Sequence, residues 1–357
     1  MTRTIHFIYS VPRSSHLIRR GIDKFINKSG FLPPLYRSGN DLFIPWRQPI
    51  RAPHSITYHL LHEFKKFGKV KYYSLYEHRV IDLKPDDILI GLPSQDHGDM
   101  PWKKPDDASV MAQTMKKYPD HKQAYIIMPY SNDPLFVGWA NEFVMNHGKN
   151  LLLLSGKIWF NNWEDSPWKN FPIQQKVRVD MGIEPIDYPA VKKTFNSKGR
   201  RGFLYVGHTS WYKNTPQLAK IAAAMPEFRF GHVGLGTIPG WDQISDFADL
   251  NAEFMEKICK TYDCFVNVSW DAQVTTVLEQ MCFGLTVACT PESGYECPYL
   301  LPLDIHDTDH NTKILREFQQ TDEQKLLEIG RLNRQYAIDH HSWKQFTDTV
   351  VQFIGLK

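Results

Sequence analysis

Nowhere in the 357 residues is there an apolar run long enough to cross a bilayer, which takes about 20 consecutive apolar residues. The opening MTRTIHFIYSVPRSS also holds too short an apolar run for a secretory signal. Cysteine is scarce. The five present (Cys259, Cys264, Cys282, Cys289 and Cys297) all lie in the second half, in odd number and without a CxxC spacing. That excludes a disulfide framework and a cysteine-based zinc site, and it fits a reduced, cytoplasmic setting. No low-complexity segment or internal repeat is visible, so fibrous, disordered and solenoid classes drop out. The net charge of +3 comes without any recognised nucleic-acid motif, so no nucleic-acid partner is expected.

What is present suits a globular protein: 42% hydrophobic residues, 13% aromatic, and a length that favours two domains. The ten Trp suit sugar-stacking surfaces, but aromatic residues more often fill cores. Charge is unevenly spread. Residues 1–60 carry nine Lys/Arg against Asp23 and Asp41, a net +7, which leaves −4 over the rest of the chain. Residues 14–28 read as a helix with Leu17, Ile18, Ile22, Phe25 and Ile26 on one face and Arg19, Arg20, Lys24 and Lys28 off it. Such a helix is either packed on a sheet with a solvated basic face or in peripheral contact with an anionic membrane at its inner surface.

The order of elements argues the architecture. Strands are predicted over 4–11, 69–75, 86–93, 123–129 and 151–154, and helices over 55–67, 107–118 and 135–147. Strand-helix alternation of this kind predicts a parallel sheet with helices on both faces. After the strand DDILIGLP comes a loop with Asp96, His97 and Asp99, where open α/β sheets place ligands. His97 is therefore a candidate base or sugar contact, against the plainer reading of a solvated loop histidine. Residues 177–202 shift to Pro, Gly and charge and read as a domain boundary. The alternation then resumes with a strand (203–206), a turn at Gly207, a helix from about Thr215, a strand ending at Gly234 and Gly236, and a helix over about 248–261.

The most informative stretch is DCFVNVSWDAQVTTVLEQMCFGLTVACT. CFVNVS reads as a buried strand, Val274 to Phe283 as a helix stopped by Gly284, and LTVACT as the next strand. A helix N-terminus beside the carboxyl end of a parallel strand can seat a phosphate on its free N–H groups. Ala272, Gln273 and Val274 bring no positive side chain, so the backbone would do the holding. Asp271 and Glu279 are eight residues apart, which on a helix returns them to nearly one face. Two carboxylates beside a phosphate seat suit a ligand rich in hydroxyls, a nucleotide or a sugar. An ordinary βαβ unit with two solvated acids has the same periodicity.

Four segments in order resemble retaining glycosyltransferases of the GT-B fold, the large family that includes sucrose and mannosyl transferases. VRVDMGIEPIDYP resembles the family's interdomain segment, and FLYVGHTSWYKN its glycine-to-lysine loop, with Lys213 six residues after Gly207. DAQVTTVLEQMCFG resembles its paired-acid motif, and SWKQFTDTVVQFI its closing helix, which often crosses back onto the first domain. The resemblance covers about residues 177–355 and implies an α/β fold of two Rossmann-like domains with parallel sheets facing across a cleft. The domains would be an acceptor domain over 1–190, a nucleotide-sugar domain over 191–340 and a returning helix over 341–357.

It further implies metal-independent transfer of a sugar from a UDP- or GDP-sugar to a glycan or lipid-linked acceptor, with retention of configuration. No permanently bound cofactor is implied. Lys213 would contact the donor diphosphate beside Gly207 and His208. Glu279 would bind the ribose, and Asp271 would face the transferred sugar. The amides of Ala272, Gln273 and Val274, with Thr275 at the helix start, would meet sugar and phosphate. The chain departs from the family in three places: His208 stands for the usual Arg, VPRSSH for a glycine-rich first loop, and Asp271 for Glu. A nucleotide-sugar epimerase on the same fold, or a non-catalytic nucleotide- or carbohydrate-binding protein, are the alternatives.

Overall fold

A computed structural model describes residues 3–9, 54–74, 80–92, 110–127, 150–153, 174–246 and 250–357. Twelve strands among these residues form two six-stranded sheets, and every recorded pairing is parallel. The first sheet has the order β2-β1-β3-β4-β5-β6, made of Thr4–Tyr9 (β1), Lys69–Ser74 (β2), Ile88–Gly91 (β3), Ala124–Ile127 (β4), Asn150–Leu153 (β5) and Gln175–Arg178 (β6). Its interior strands are apolar runs buried on both faces: Ile5, Phe7 and Ile8 in β1, Ile88 to Ile90 in β3, and Ile126 and Ile127 in β4. Two helices accompany it, His54–Phe64 (α1) and Val110–Lys117 (α2). The expected basic helix at 14–28, the helix at 135–147 and the loop with His97 lie outside the described residues.

The second sheet has the order β12-β11-β10-β7-β8-β9. Its strands are Gly202–Val206 (β7), Phe230–Val233 (β8), Asp242–Ser245 (β9), Tyr262–Asn267 (β10), Thr286–Cys289 (β11) and Leu301–Pro302 (β12). Thr215–Ala224 (α3), Ala252–Ile258 (α4) and Thr275–Phe283 (α5) connect them, and Thr308–Gln320 (α6) and Glu323–His340 (α7) follow. Both sheets reverse direction once. In the first, the chain steps from β1 to β2 on one side and from β3 onward on the other; in the second, β7 to β9 run one way and β10 to β12 the other. Crevices at the carboxyl ends of such switch-point strands are where open α/β sheets bind ligands.

The segment between the sheets is anchored by charge. Lys192 is buried and donates to Asp263 at 2.7 Å and to the Cys259 and Tyr262 carbonyls at 2.6 and 3.0 Å. Asp263 is saturated by Asn196 and by the Gly202 amide. A buried pair survives only when its remaining hydrogen-bonding sites are satisfied in this way.

The chain crosses back through His341 to Trp343. Ile183 N–H donates to the His341 carbonyl at 2.8 Å, and Ile183 and Ser342 form a parallel bridge, so outgoing and returning segments lie side by side. A side chain at Gly182 would run into the backbone of Trp343. The last helix, Trp343–Phe353 (α8), opens with a reciprocal capping box between Ser342 and Gln345. It packs on α1 of the first sheet, where Trp343 stacks on His59 at 4.3 Å. All five cysteines are buried and unpaired. Burial pushes the thiols of Cys259, Cys282 and Cys289 up to about 12 and that of Cys297 to about 11, which makes them inert packing groups.

Candidate functional site

The loops after β7 and β10 meet at the second sheet's switch point. The β7 loop turns at Gly207, whose N–H donates to the Val233 carbonyl at 2.9 Å. His232 lies buried beneath and donates from Nε2 to the Gly207 carbonyl at 2.7 Å. The glycines at 234 and 236 serve close packing: a side chain at Gly234 would strike the Gly207 carbonyl, and one at Gly236 the Thr209 hydroxyl. His208 accepts the Ser210 N–H on Nδ1 at 3.3 Å, so its hydrogen sits on Nε2 and points to the Tyr212 hydroxyl at 3.1 Å. Tyr205, fully buried, donates to the His208 carbonyl at 3.1 Å. Its hydroxyl is pushed far up, first by burial and then by the charge of Asp271.

Lys213 ends a short turn, Trp211–Lys213, and Asn214 follows in the left-handed region (φ 52°). Asn214 tolerates that conformation because it is Asn. Its carboxamide donates to the Val268 and Ile305 carbonyls at 3.1 and 2.9 Å. Trp270 N–H bonds the Tyr212 carbonyl at 2.9 Å. These bonds join the two loops and set the ammonium of Lys213 in a short ion pair with Asp271, their side chains 12% and 16% exposed. Lys213 and Asp271 are therefore brought together, although they are 58 residues apart in sequence.

The helix argument for Asp271 and Glu279 is corrected by the geometry. α5 begins only at Thr275, and Gln273 takes a left-handed turn (φ 56°). Asp271 is therefore off the helix, and its relation to Glu279 is not that of one helical face. The two acids have different partners. Glu279 is 3% exposed and accepts from the Tyr188 hydroxyl at 3.2 Å. Tyr188 is itself held through its carbonyl by Arg334 at 2.6 Å.

The loop between the acids is uneven. The Gln273 N–H is committed to the Ser293 carbonyl at 2.8 Å, which leaves the backbone seat to its neighbours Ala272 and Val274 and to the start of α5 at Thr275. The Tyr295 hydroxyl braces the Val274 carbonyl at 3.0 Å. α5 has no acidic residue in its first turn and no side-chain cap, so the positive end of the helix is not neutralised by its own sequence. Tyr188, Asn214 and Tyr295 hold the candidate site residues in place, and sequence reasoning missed them. Only Asn214, beside Lys213 in a turn, carried a local signal. His97 lies outside the described residues.

No protein-family model matches the sequence, and no curated protein does. Solved structures match over nearly the whole chain. WaaG, a glycosyltransferase of lipopolysaccharide biosynthesis, is 13% identical with a TM-score of 0.51, over 98% of this chain and 99% of that one. Sucrose-phosphate synthase from Thermosynechococcus elongatus is 10% identical with a TM-score of 0.56, over 98% of each chain. A UDP-forming trehalose-phosphate synthase from Burkholderia xenovorans is 11% identical with a TM-score of 0.52, over 99% of each. The fold is therefore GT-B: two Rossmann-like domains, each built on a parallel sheet.

Proposed function

We propose that the protein is a glycosyltransferase that moves a sugar from a nucleotide-diphosphate donor to an acceptor. The observation that carries this reading is the Lys213–Asp271 pair at the switch point of the second sheet, beside the uncapped start of α5. The neighbouring folds named above belong to sugar-transferring enzymes, which supports it further.

In this reading the donor's diphosphate sits against the start of α5 and draws Lys213 away from Asp271. Cleavage of the sugar–phosphate bond builds negative charge on the leaving diphosphate. Once drawn to the bound donor, Lys213 joins the α5 amides in facing that charge, and together they stabilise it without a metal. Asp271, released from Lys213, turns to the hydroxyls of the sugar. Glu279 takes the ribose, and Tyr188 holds its carboxylate in place. The acceptor, a glycan or a lipid-linked sugar, is taken by the first domain, with His97 as its candidate contact, and transfer proceeds with retention. His208, which lacks arginine's planar fork of five donors, makes the diphosphate clamp weaker than an arginine would.

Calorimetry with UDP- and GDP-sugars tests the reading. Wild type should bind one of them, and Glu279→Ala should weaken binding by roughly 1–3 kcal/mol. Unchanged affinity in that variant would sink the ribose assignment. Product analysis with donor alone separates transfer from epimerisation, and binding without any turnover would point to a non-catalytic role.

A further inference from the structure

Gln273 stands in the loop of the candidate donor site, yet its side chain leaves that loop. It is 2% exposed, and its carboxamide reaches the segment that follows the last strand of the first domain. Oε1 accepts the Met181 N–H at 2.9 Å, and Nε2 donates to Asp180 at 3.1 Å and to the Gly294 carbonyl at 3.3 Å. Asp180 is in turn held by Arg178, the last residue of β6, at 2.7 and 2.8 Å. A single side chain thus runs from the loop between Asp271 and α5 to the end of the first sheet. The backbone at Gln273 is left-handed here (φ 56°), a conformation that a non-glycine residue of its type adopts only where its surroundings hold it.

We infer that Gln273 is a positioning residue, which fixes the donor loop relative to the first domain through Asp180 and Met181. The inference rests on the donor reading above and adds to it a residue that never touches the donor with its side chain. The amide donates on one side and accepts on the other, so it needs both halves of a carboxamide. The Met181 N–H would suit a carboxylate at 273, but Asp180 and the Gly294 carbonyl would not, since both are acceptors and Asp180 would set a second carboxylate against the first. The Ala272 and Val274 amides lie one residue to either side, so the donor and the acceptor share one fixed reference point. Misplacing reacting groups by about 1 Å can cost 100-fold in rate while leaving the ground-state contacts in place.

The test compares wild type, Gln273→Glu, Asp180→Asn and the double variant, with UDP-glucose and GDP-mannose as donors. Binding is read by calorimetry, and turnover by release of nucleoside diphosphate with water as acceptor. Gln273→Glu should lower kcat by roughly 10- to 100-fold and change donor Kd by no more than about threefold, because the clip positions rather than binds. Adding Asp180→Asn should restore at least about fivefold of the lost rate, since the new amide at 180 can donate to the carboxylate at 273. Amide exchange supplies a readout that needs no ligand. In Gln273→Glu, peptides covering 179–184 and 271–274 should lose protection together, by roughly tenfold. Equal losses in kcat and donor affinity, no rescue in the double variant, or loss of protection at 271–274 alone would each overturn the inference. If wild type binds neither donor, the donor reading falls and the exchange result alone decides whether the two segments are coupled.

Discussion

The two sheets share one plan, six parallel strands with a single reversal, and each ties strand starts together with a buried carboxylate, Asp87 in the first and Asp263 in the second; the contrast lies between those amino-end knots and the Lys213–Asp271 pair at the carboxyl ends of the second sheet. In the first, the described buried polar cluster lies toward the amino ends of β1 and β3. Asp87, just before β3, accepts the Thr4 and Lys84 amides at 3.0 Å each and the His6 Nε2–H at 3.2 Å. The Tyr73 hydroxyl donates to the other His6 nitrogen at 3.0 Å, and His121 donates to the Asp87 carbonyl at 2.8 Å. A carboxylate, two imidazoles and a phenol make an arrangement with catalytic-looking members. Here each member is hydrogen-bonded within the sheet: Asp87 and His121 beside the strand starts, with His6 braced from β2 by Tyr73. In the second sheet the charged pair stands at the carboxyl ends, on loops rather than strands, and is partly open to solvent. The difference teaches that position on the sheet, more than residue type or burial, separates a structural knot from a site.

The sharpest way to break that contrast is to remove the knot. Asp87→Ala leaves three donors without their acceptor and should cost roughly 4 kcal/mol in urea unfolding, with donor affinity unchanged within about twofold. If donor affinity fell in step, the cluster would belong to a site after all. Lys213→Ala should do the reverse. It should weaken donor binding by about 100-fold, near 3 kcal/mol, because the diphosphate loses its cation and meets Asp271 instead. Its effect on unfolding should stay near 1 kcal/mol, since the pair it breaks is partly exposed.

Acid sensitivity locates a further difference. Burial on α1, and then the neighbouring His62, push His59 down to about 4. The unfolded His59 takes up a proton near pH 6.5, so between there and 4 the unfolded state binds more protons, and stability falls as pH falls through that window. The loss should reach up to roughly 3 kcal/mol. His6 and His341 are lowered by burial in the same direction. His59→Phe, which keeps the stack on Trp343, should flatten that slope, as read from urea midpoints at pH 4.5 and 7. The smallest effect is expected at Tyr188→Phe. It removes one hydrogen bond to Glu279, and should cost about 1 kcal/mol of stability and a few-fold in donor affinity.

Much of the fold was legible because interior strands of parallel sheets are apolar on both faces. ILIG, AYII and CFVN announce themselves for that reason. The strands that went unread are the outer ones. β6 (QKVR) and β9 (DQIS) have mixed or exposed residues, because an edge strand is bordered on one side by solvent. α6 and α7 were also missed: few of their residues are buried, Leu315, Phe318, Leu326 and Ala337 among them, so the apolar stripe is thin. For the candidate site, Asp271 and Glu279 stood out by their spacing and Lys213 by its place in a turn, but the pairing of Lys213 with Asp271 and the Tyr188 contact to Glu279 did not. Tyr188 reaches Glu279 from 91 residues away, and Asp180 reaches Gln273 from 93. The left-handed turn at Gln273 gave no warning either, since glutamine is not a residue that advertises one.

The paired crossing at Ile183 and Ser342 has a mechanical consequence. A single connecting strand can be twisted as well as bent, so two bodies joined by one are free to swivel. Here two backbones leave and return in contact, hydrogen-bonded to each other, with Gly182 pressed against Trp343. Twisting such a ribbon would shear its bonds, whereas flexing it would not. The paired crossing therefore resists swivelling of one sheet against the other more than it resists bending.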